Sequence, residues 1–226
     1  NLRGWMTTEP DEADALARAR ALTRMRDVPA VPSVTTAKPY RWSAHGAPET
    51  ADDLRPIPGR PRVVVFDYGV KYNILRELER RGCEVVVVPA HADARSIDAL
   101  EPQGILLSNG PGDPESLEQA VPVVRHVVGR YPTLAICLGH QLVGMALGGR
   151  IVKLPFGHHG ANHPVMDVTR KQVAITSQNH NYAVAADSLG DDVDVTHINL
   201  NDGTVQGLQH RKLRLWSLQF HPEASP

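Results

Sequence analysis

"PTLAICLGHQLVGMALGG", residues 132–149, is an apolar run that ends in a cysteine and a Leu-Gly-His-Gln turn, after which a second apolar stretch has helical spacing. Residues 133–136 read as a short buried strand and residues 138–149 as a helix. A cysteine that only filled a core would sit inside the apolar run, whereas Cys137 sits where the run ends. "A-I-C-L-G" has the form small-x-nucleophile-x-Gly, the thiol counterpart of the G-x-S-x-G elbow that lifts a nucleophile above a sheet. Small residues belong on either side of such a turn because Cβ groups would collide there. The helix beginning at the thiol favours its charged form, and cysteines so placed can titrate at roughly 3.5–7.5. Gln141 follows one helical turn later. Helical side chains lean toward the N-terminus, so its amide is expected to point back at the thiol. Cys83, after "ERRG" and before a strand, reads as structural.

Working outward, "RVVVFD" (62–67), "EVVVVPA" (84–90), "GILLS" (104–108) and "TLAI" (133–136) are short continuous apolar runs. Between them lie helical patterns at 72–82, near 93–100 and at 114–129, the last expected to be interrupted or kinked by Pro122. Such alternation predicts an α/β fold with an open, mostly parallel sheet flanked by helices on both faces. Beyond residue 150 the helical period fades. Asp202-Gly203 between alternating runs in "DVTHINLNDGTVQGLQH" (194–210) signals a β-hairpin region, and "LRLWSLQF" (213–220) a further strand.

Before residue 62 the chain has another character. Residues 9–27 read as one helix with Leu16, Ala19, Leu22 and Met25 as a thin apolar stripe, and residues 28–61 are rich in Pro and polar residues. One helix and an extended tail cannot bury a core. We therefore expect 1–45 to be the remnant of an N-terminal domain, 46–61 a linker and 62–226 the principal domain.

Composition excludes several function classes. Twenty-four Lys and Arg against 25 Asp and Glu give a net charge of −1, too little positive field to hold nucleic acid or an anionic membrane surface. No apolar run approaches the roughly 20 residues that span a bilayer, and "NLRGWMTTEPDEAD" lacks the pattern of a signal peptide. Two cysteines and no C-x-x-C pair make neither a disulfide framework nor a zinc site, so a reducing cytoplasm is expected.

A nucleophilic thiol needs a base, and the base an orienting group. "LQFHPEASP" supplies both. Pro222 keeps His221 out of helical conformation, and in extended chain His221 and Glu223 project to one side. Glu223 can then accept from one ring nitrogen while the other faces the thiol. "LLSNGPGDPES" (106–116) follows a strand and so reaches the sheet edge that carries Cys137, the edge where open α/β sheets bind ligands. Gly110 and Gly112 let the backbone approach closely, leaving N–H groups for an oxyanion or a carboxylate. His158, His159 and His163 in "GHHGANH" suggest a metal site. With no carboxylate or thiol close by in sequence, the expectation is no metal and a packed loop near the pocket or a partner.

Together "SNGPGDP", "ICLGHQL", "FGHHGANHPV", "SQNHNYAV" and "FHPEASP" resemble the motifs of the class I (triad) glutamine amidotransferases. Within them the order and wording are most similar to the small, glutamine-hydrolysing subunits of carbamoyl phosphate synthetases. The resemblance covers 62–226 strongly, and "VTTAKPYRW" (34–42) looks like the stretch joining that subunit's two domains. It implies Cys137 as nucleophile, His221 as base and Glu223 as orienting acid. It implies glutamine contacts from Gly110, Gly112, Leu138, Gln141, Asn179, Asn181 and Tyr182, with the Leu138 and Gly112 N–H groups as oxyanion hole. Ala135 stands where the elbow usually opens with Gly, and Asn181 where many relatives have Gly; Asn tolerates a left-handed backbone better than most residues. The resemblance further implies that most of an N-terminal domain, with a serine that contacts glutamine, and a final helix lie outside this chain.

No G-x-x-x-x-G-K-[ST] loop occurs, so no cofactor is expected on this chain. ATP and Mg are expected on a large synthetase subunit, the partner that would receive ammonia for carbamoyl phosphate synthesis in arginine and pyrimidine biosynthesis. The alternatives are a glutaminase subunit of another amidotransferase, or a truncated, non-catalytic glutamine-binding or regulatory subunit.

Overall fold

Valine-rich runs with no polar alternation must be buried on both faces, and in the computed structural model they form the centre of one sheet. The structure describes residues 4–23, 27–44, 49–50 and 54–224. β3 (Arg62–Asp67), β4 (Glu84–Pro89), β5 (Gly104–Leu107), β6 (Thr133–Ile136) and β11 (Leu215–Leu218) make the parallel core, in the order β4-β3-β5-β6-β11. β1 (Tyr40–Arg41) and β2 (Glu49–Thr50) extend the β4 edge antiparallel. Beyond β11 the sheet continues antiparallel through β10 (Val205–His210), β9 (Val193–Asn199), β7 (Ile151–Asp167) and β8 (Gln172–Val184).

Helices cover both faces. α2 (Tyr72–Arg80) buries Ile74 and Leu75 against Val65, Val85, Val87, Leu106 and Ile136. On the other face α3 (Ala94–Asp98), α4 (Val121–Arg130) and α5 (Leu138–Ala146) pack Ile97, Val124, Val127, Leu138 and Leu142 against Val64, Phe66, Ile105 and Leu107. Every residue of α5 except Met145 is buried, including the polar His140 and Gln141, so the rest of its sequence is apolar all round.

Three expectations change. Pro122 does not kink a long helix. It sits in the first turn of α4, where its missing N–H costs nothing, after a 3-10 segment at Pro114–Ala120. The helix expected over 9–27 is shorter: α1 (Glu12–Ala21) is capped by Asp11 Oδ1, which accepts from Ala13 N and Asp14 N, and it buries none of its residues. Leu16 is half exposed, and Met25 lies outside the described residues. Finally, "FGHHGANHPV" is not a loop. It lies within β7, paired with β8 in the longest hairpin among the described residues. Pro155, Pro164 and two register shifts, between Lys153 and His158 and between Gly160 and His163, hide its strand period. The Asp202-Gly203 hairpin forms as expected between β9 and β10, with Gly203 at φ +73°.

One buried ion pair ties the N-terminal segment to the sheet. Arg62 Nη2 and Nε donate to the two oxygens of Glu84 at 2.8 and 3.0 Å, both residues buried. Arg62 also donates to the carbonyls of Leu54 and Leu100, and Glu84 accepts from Ile57 N–H and Arg41 Nε. Farther along the same edge Val31 is buried in the core and Thr36 N–H donates to Asp67 Oδ2 at 2.7 Å.

Candidate active site

Parallel strands deliver the chain that follows each of them to one edge of the sheet. β3 leads to Lys71, β5 to Asn109–Gly112, β6 to Cys137 and β11 to His221. These residues line a cavity of about 310 Å³, together with Gln141 from α5 and Asn179–Tyr182 from β8. Gly110, Gly112, Gln141, Asn179, Asn181 and Tyr182 all border it. Leu138 follows Cys137 directly, and its backbone N–H acts to lower the thiol's pKa, while its side chain is buried in the core. Glu223 stands behind His221, outside the lining.

Cys137 has φ +53° and ψ −106°, a conformation L-residues rarely hold. Three contacts impose it. Cys137 N–H donates to Leu218 O at 2.8 Å, Gly139 N–H to Ser108 O at 3.0 Å, and Gln141 N–H to Cys137 O at 3.1 Å. A Cβ on Gly139 would lie 2.3 Å from Leu107 O, and one on Gly110 would lie 2.1 Å from Tyr68 O. Both glycines are required by close backbone approach. Ala135, at the opening of the elbow, is fully buried in the core.

The thiol is buried, and burial pushes its pKa up to about 12. Glu223 raises it further. The Leu138 N–H bond, the Lys71 charge and the Gln219 side chain act the other way without overcoming desolvation. The depressed range expected from the helix N-terminus is therefore not what the resting site gives. The sulfur holds its proton, and the thiol donates toward Asn179 O at 3.9 Å. Gln141 also departs from expectation. Its amide nitrogen donates to Tyr182 O at 2.8 Å and to Gln219 Oε1 at 3.0 Å, so it braces the pocket wall instead of meeting the thiol.

His221 and Glu223 are both buried, with Nδ1 and Oε1 2.7 Å apart. A carboxylate can only accept, so Nδ1 carries the proton and Nε2 is left to face the cavity. Burial works to raise the Glu223 pKa, but the His221 hydrogen bond and the His221 and Lys71 charges hold it below the ordinary carboxylate value. Lys71 Nζ lies 3.4 Å from Glu223 Oε1, and Asn73 Nδ2 donates to the Glu223 carbonyl.

Four residues of the site escaped the sequence reading: Lys71, Asn109, His180 and Gln219. Lys71 follows β3 at the same edge, and its N–H donates to Asn109 Oδ1 at 3.1 Å. His180 lines the cavity and donates from Nδ1 to Tyr182 O at 2.8 Å; burial lowers its pKa to about 3, so it stays neutral. Gln219 has the strand parity of His221 and Glu223, a signal that was present in "LQFHPE". Asn181 keeps a negative φ: among the described non-glycine residues only Glu101, Cys137 and Lys171 have positive φ. Its left-handed tolerance is not called on.

The three histidines of "GHHGANH" have separate hydrogen-bond partners, although the His158 and His163 rings lie 5.1 Å apart. His158 Nε2 pairs with Asp202 Oδ2 at 2.8 Å, His159 Nδ1 donates to Asn179 Oδ1 at 2.9 Å, and His163 Nε2 meets His159 O at 3.3 Å. Among the described residues no three His, Cys, Asp or Glu side chains converge to hold a metal ion. No described helix is long and apolar enough to cross a membrane.

Comparison with known proteins gives the same picture. Residues 64–226 match the family described as glutamine amidotransferase class-I. A carbamoyl phosphate synthase small chain from Symbiobacterium thermophilum is 50% identical over 96% of this chain and 57% of its own length. One from Nitratidesulfovibrio vulgaris is 47% identical over 100% of this chain and 61% of its own length. The chain thus spans somewhat more than half of these relatives. In fold, it is similar to the crystal structure of a glutamine amidotransferase from Thermotoga maritima, with a TM-score of 0.58 and 14% identity, covering 73% of this chain and 77% of that one.

Proposed function

Because the chain belongs to the class-I glutamine amidotransferases, we propose that it hydrolyses glutamine to glutamate and ammonia as the small-subunit glutaminase of a carbamoyl phosphate synthetase. The observation that carries this reading is the meeting of Cys137, the His221–Glu223 pair and the Gly110–Gly112 turn at one cavity, each delivered by a different parallel strand. Residues 62–226 form the glutaminase unit in this reading, and the chain before it belongs to a domain and linker that precede it.

Glutamine enters with its side-chain amide over Cys137. The buried thiol is protonated at rest, so attack requires that His221 Nε2 take the proton as sulfur bonds to the amide carbon. The oxyanion is held by the Leu138 and Gly112 N–H groups. When the tetrahedral adduct collapses, the carbon–nitrogen bond breaks and Nε2 gives its proton to the departing nitrogen. Ammonia leaves, and a glutamyl thioester remains on Cys137. Water then loses a proton to Nε2 and adds to the thioester. The carbon–sulfur bond breaks, the sulfur recovers its proton, and glutamate departs. Glu223 keeps Nδ1 protonated throughout, which leaves Nε2 free for each transfer. Gln141, Asn179, Asn181 and Tyr182 bind and orient the substrate.

The ammonia passes to a large synthetase subunit that holds ATP and Mg and makes carbamoyl phosphate from bicarbonate, for arginine and pyrimidine biosynthesis in the cytoplasm. The chain itself needs no cofactor for its half of the reaction. The relatives named carbamoyl phosphate synthase small chain support this assignment over other amidotransferases. The test is synthesis by the reconstituted two-subunit enzyme. Cys137→Ser abolishes glutamine-dependent synthesis and leaves synthesis from free ammonia intact. Equal loss with both nitrogen donors would contradict the assignment.

A further inference from the structure

Gln219 is fully buried beside the nucleophile, and the mechanism above gives it no task. The register of the parallel pair β6–β11 sets Leu218 opposite Ile136, and Cys137 N–H bonds Leu218 O. Gln219 is therefore held level with Cys137, one strand over. Its backbone is fixed on the other side as well, since Gln219 N–H donates to Gln206 O at 2.9 Å.

The orientation of its side-chain amide follows from a chain of forced assignments. Tyr182 O is a carbonyl and can only accept, so Gln141 must present Nε2 to it, at 2.8 Å. The same Gln141 nitrogen lies 3.0 Å from the Gln219 amide and must find an acceptor there, so Gln219 turns Oε1 toward Gln141. Gln219 Nε2 is then directed away from α5. It is buried and has no hydrogen-bond partner in the resting site. A buried amide nitrogen without an acceptor is destabilising, and one group near it becomes a strong acceptor during the reaction.

We propose that Gln219 Nε2 is a hydrogen-bond donor to the Cys137 sulfur, aimed by Gln141 and exerting its full strength when the sulfur becomes thiolate. It rests on the reading of Cys137 as nucleophile and adds the group that stabilises the charge on it. The Gln219 side chain acts to lower the Cys137 pKa, as the Leu138 N–H also does. The arrangement links binding to activation. Gln141 and Tyr182 line the substrate cavity, and the amide they orient ends at the sulfur.

The test is the rate of alkylation of Cys137 by iodoacetamide from pH 6 to 10, read peptide by peptide with Cys83 as internal reference, in the full chain. In Gln219→Glu the Gln141 contact survives while the donor is replaced by a carboxylate; Gln219→Leu removes both. Loss of the donor slows alkylation of Cys137 relative to Cys83 at every pH below the thiol's titration, by about tenfold or more in Gln219→Glu and by a smaller factor in Gln219→Leu, since one pKa unit is tenfold in thiolate. Loosened packing has the opposite sign. Burial is what raises this thiol, so a damaged site alkylates faster. A Cys137 to Cys83 ratio that is unchanged or increased in Gln219→Glu overturns the proposal. Cys137→Ser that retains full glutamine hydrolysis would instead overturn the reading beneath it.

Discussion

His221 Nδ1 and Glu223 Oε1 lie 2.7 Å apart in a buried pair, two residues apart on one extended segment. Pro222 between them holds the segment extended, so the contact is made by local chain geometry. The two groups nonetheless have unequal duties. His221 transfers protons, and Glu223 fixes which nitrogen does so. His221→Asn lowers the turnover of glutamine by about 10²–10⁴-fold, the usual contribution of a general base. Glu223→Gln, which still accepts a hydrogen bond from Nδ1–H, loses less. Steady-state glutamate release by two variants with unchanged thermal unfolding decides it, and the reverse ranking would reassign the roles.

Burial pushes the Cys137 thiol up to about 12, above the roughly 8.5 of a free cysteine. A folded-state pKa raised above the unfolded value means that the native state keeps its proton longer. The associated stability is present below about pH 8.5 and declines as pH rises past it. Cys137→Ser should flatten that decline in urea midpoints measured from pH 7 to 10. A wild-type curve no steeper than the variant's would show that desolvation does not govern this thiol.

Gly139 and Gly129 are both helical-region glycines with opposite constraints. A Cβ at Gly139 meets Leu107 O at 2.3 Å, while one at Gly129 in α4 meets nothing within 4 Å. Gly139→Ala forces the elbow away from β5, with a destabilisation of about 1–3 kcal/mol and loss of glutamine hydrolysis. Gly129→Ala gains about 0.5–1 kcal/mol through helix propensity and leaves hydrolysis unchanged. Thermal unfolding and glutamate release on both variants are the check.

Glu84 is held by Arg62 in the buried pair beneath the N-terminal segment. Burial raises its pKa, but the Arg62 hydrogen bond, the Ile57 N–H and the Arg62 and Arg41 charges together hold it below the ordinary value. Its contribution is therefore present above about pH 4.5 and is lost as pH falls through the folded pKa. Glu84→Gln leaves Arg62 buried without a counter-charge and costs about 3–5 kcal/mol at pH 7. The difference from wild type narrows below pH 4. A constant difference across pH 3–7 would mean that shape, not charge, holds this pair.

The parallel core was readable because β3, β4, β5 and β6 are each a short apolar run followed by a helix signal, and the carboxyl-edge rule then located Cys137 and Gly110 together, with His221 at the end of a further strand. What escaped depended on contacts distant in sequence. β7 hides its period behind two prolines and two register shifts, so pairing with β8, not its own pattern, makes it a strand. The direction of the Gln141 amide depends on Tyr182 O and Gln219, some 40 and 78 residues away. The state of the thiol depends on how completely β8, β11 and α5 enclose it, which a helix-dipole argument from residues 137–141 alone cannot supply.

Cys137 is the glutamine-directed nucleophile in this reading, and a chloroketone analogue of glutamine tests that role most directly. A glutamine-shaped reagent delivers its reactive carbon to the sulfur while His221 takes the proton, so the high resting pKa of the thiol does not protect it. The account predicts one label per chain, on Cys137 and absent from Cys83, slowed by added glutamine, with glutamate release falling in proportion to labelling. Undiminished glutamate release from protein fully labelled at Cys137, or labelling that glutamine does not slow, would contradict it.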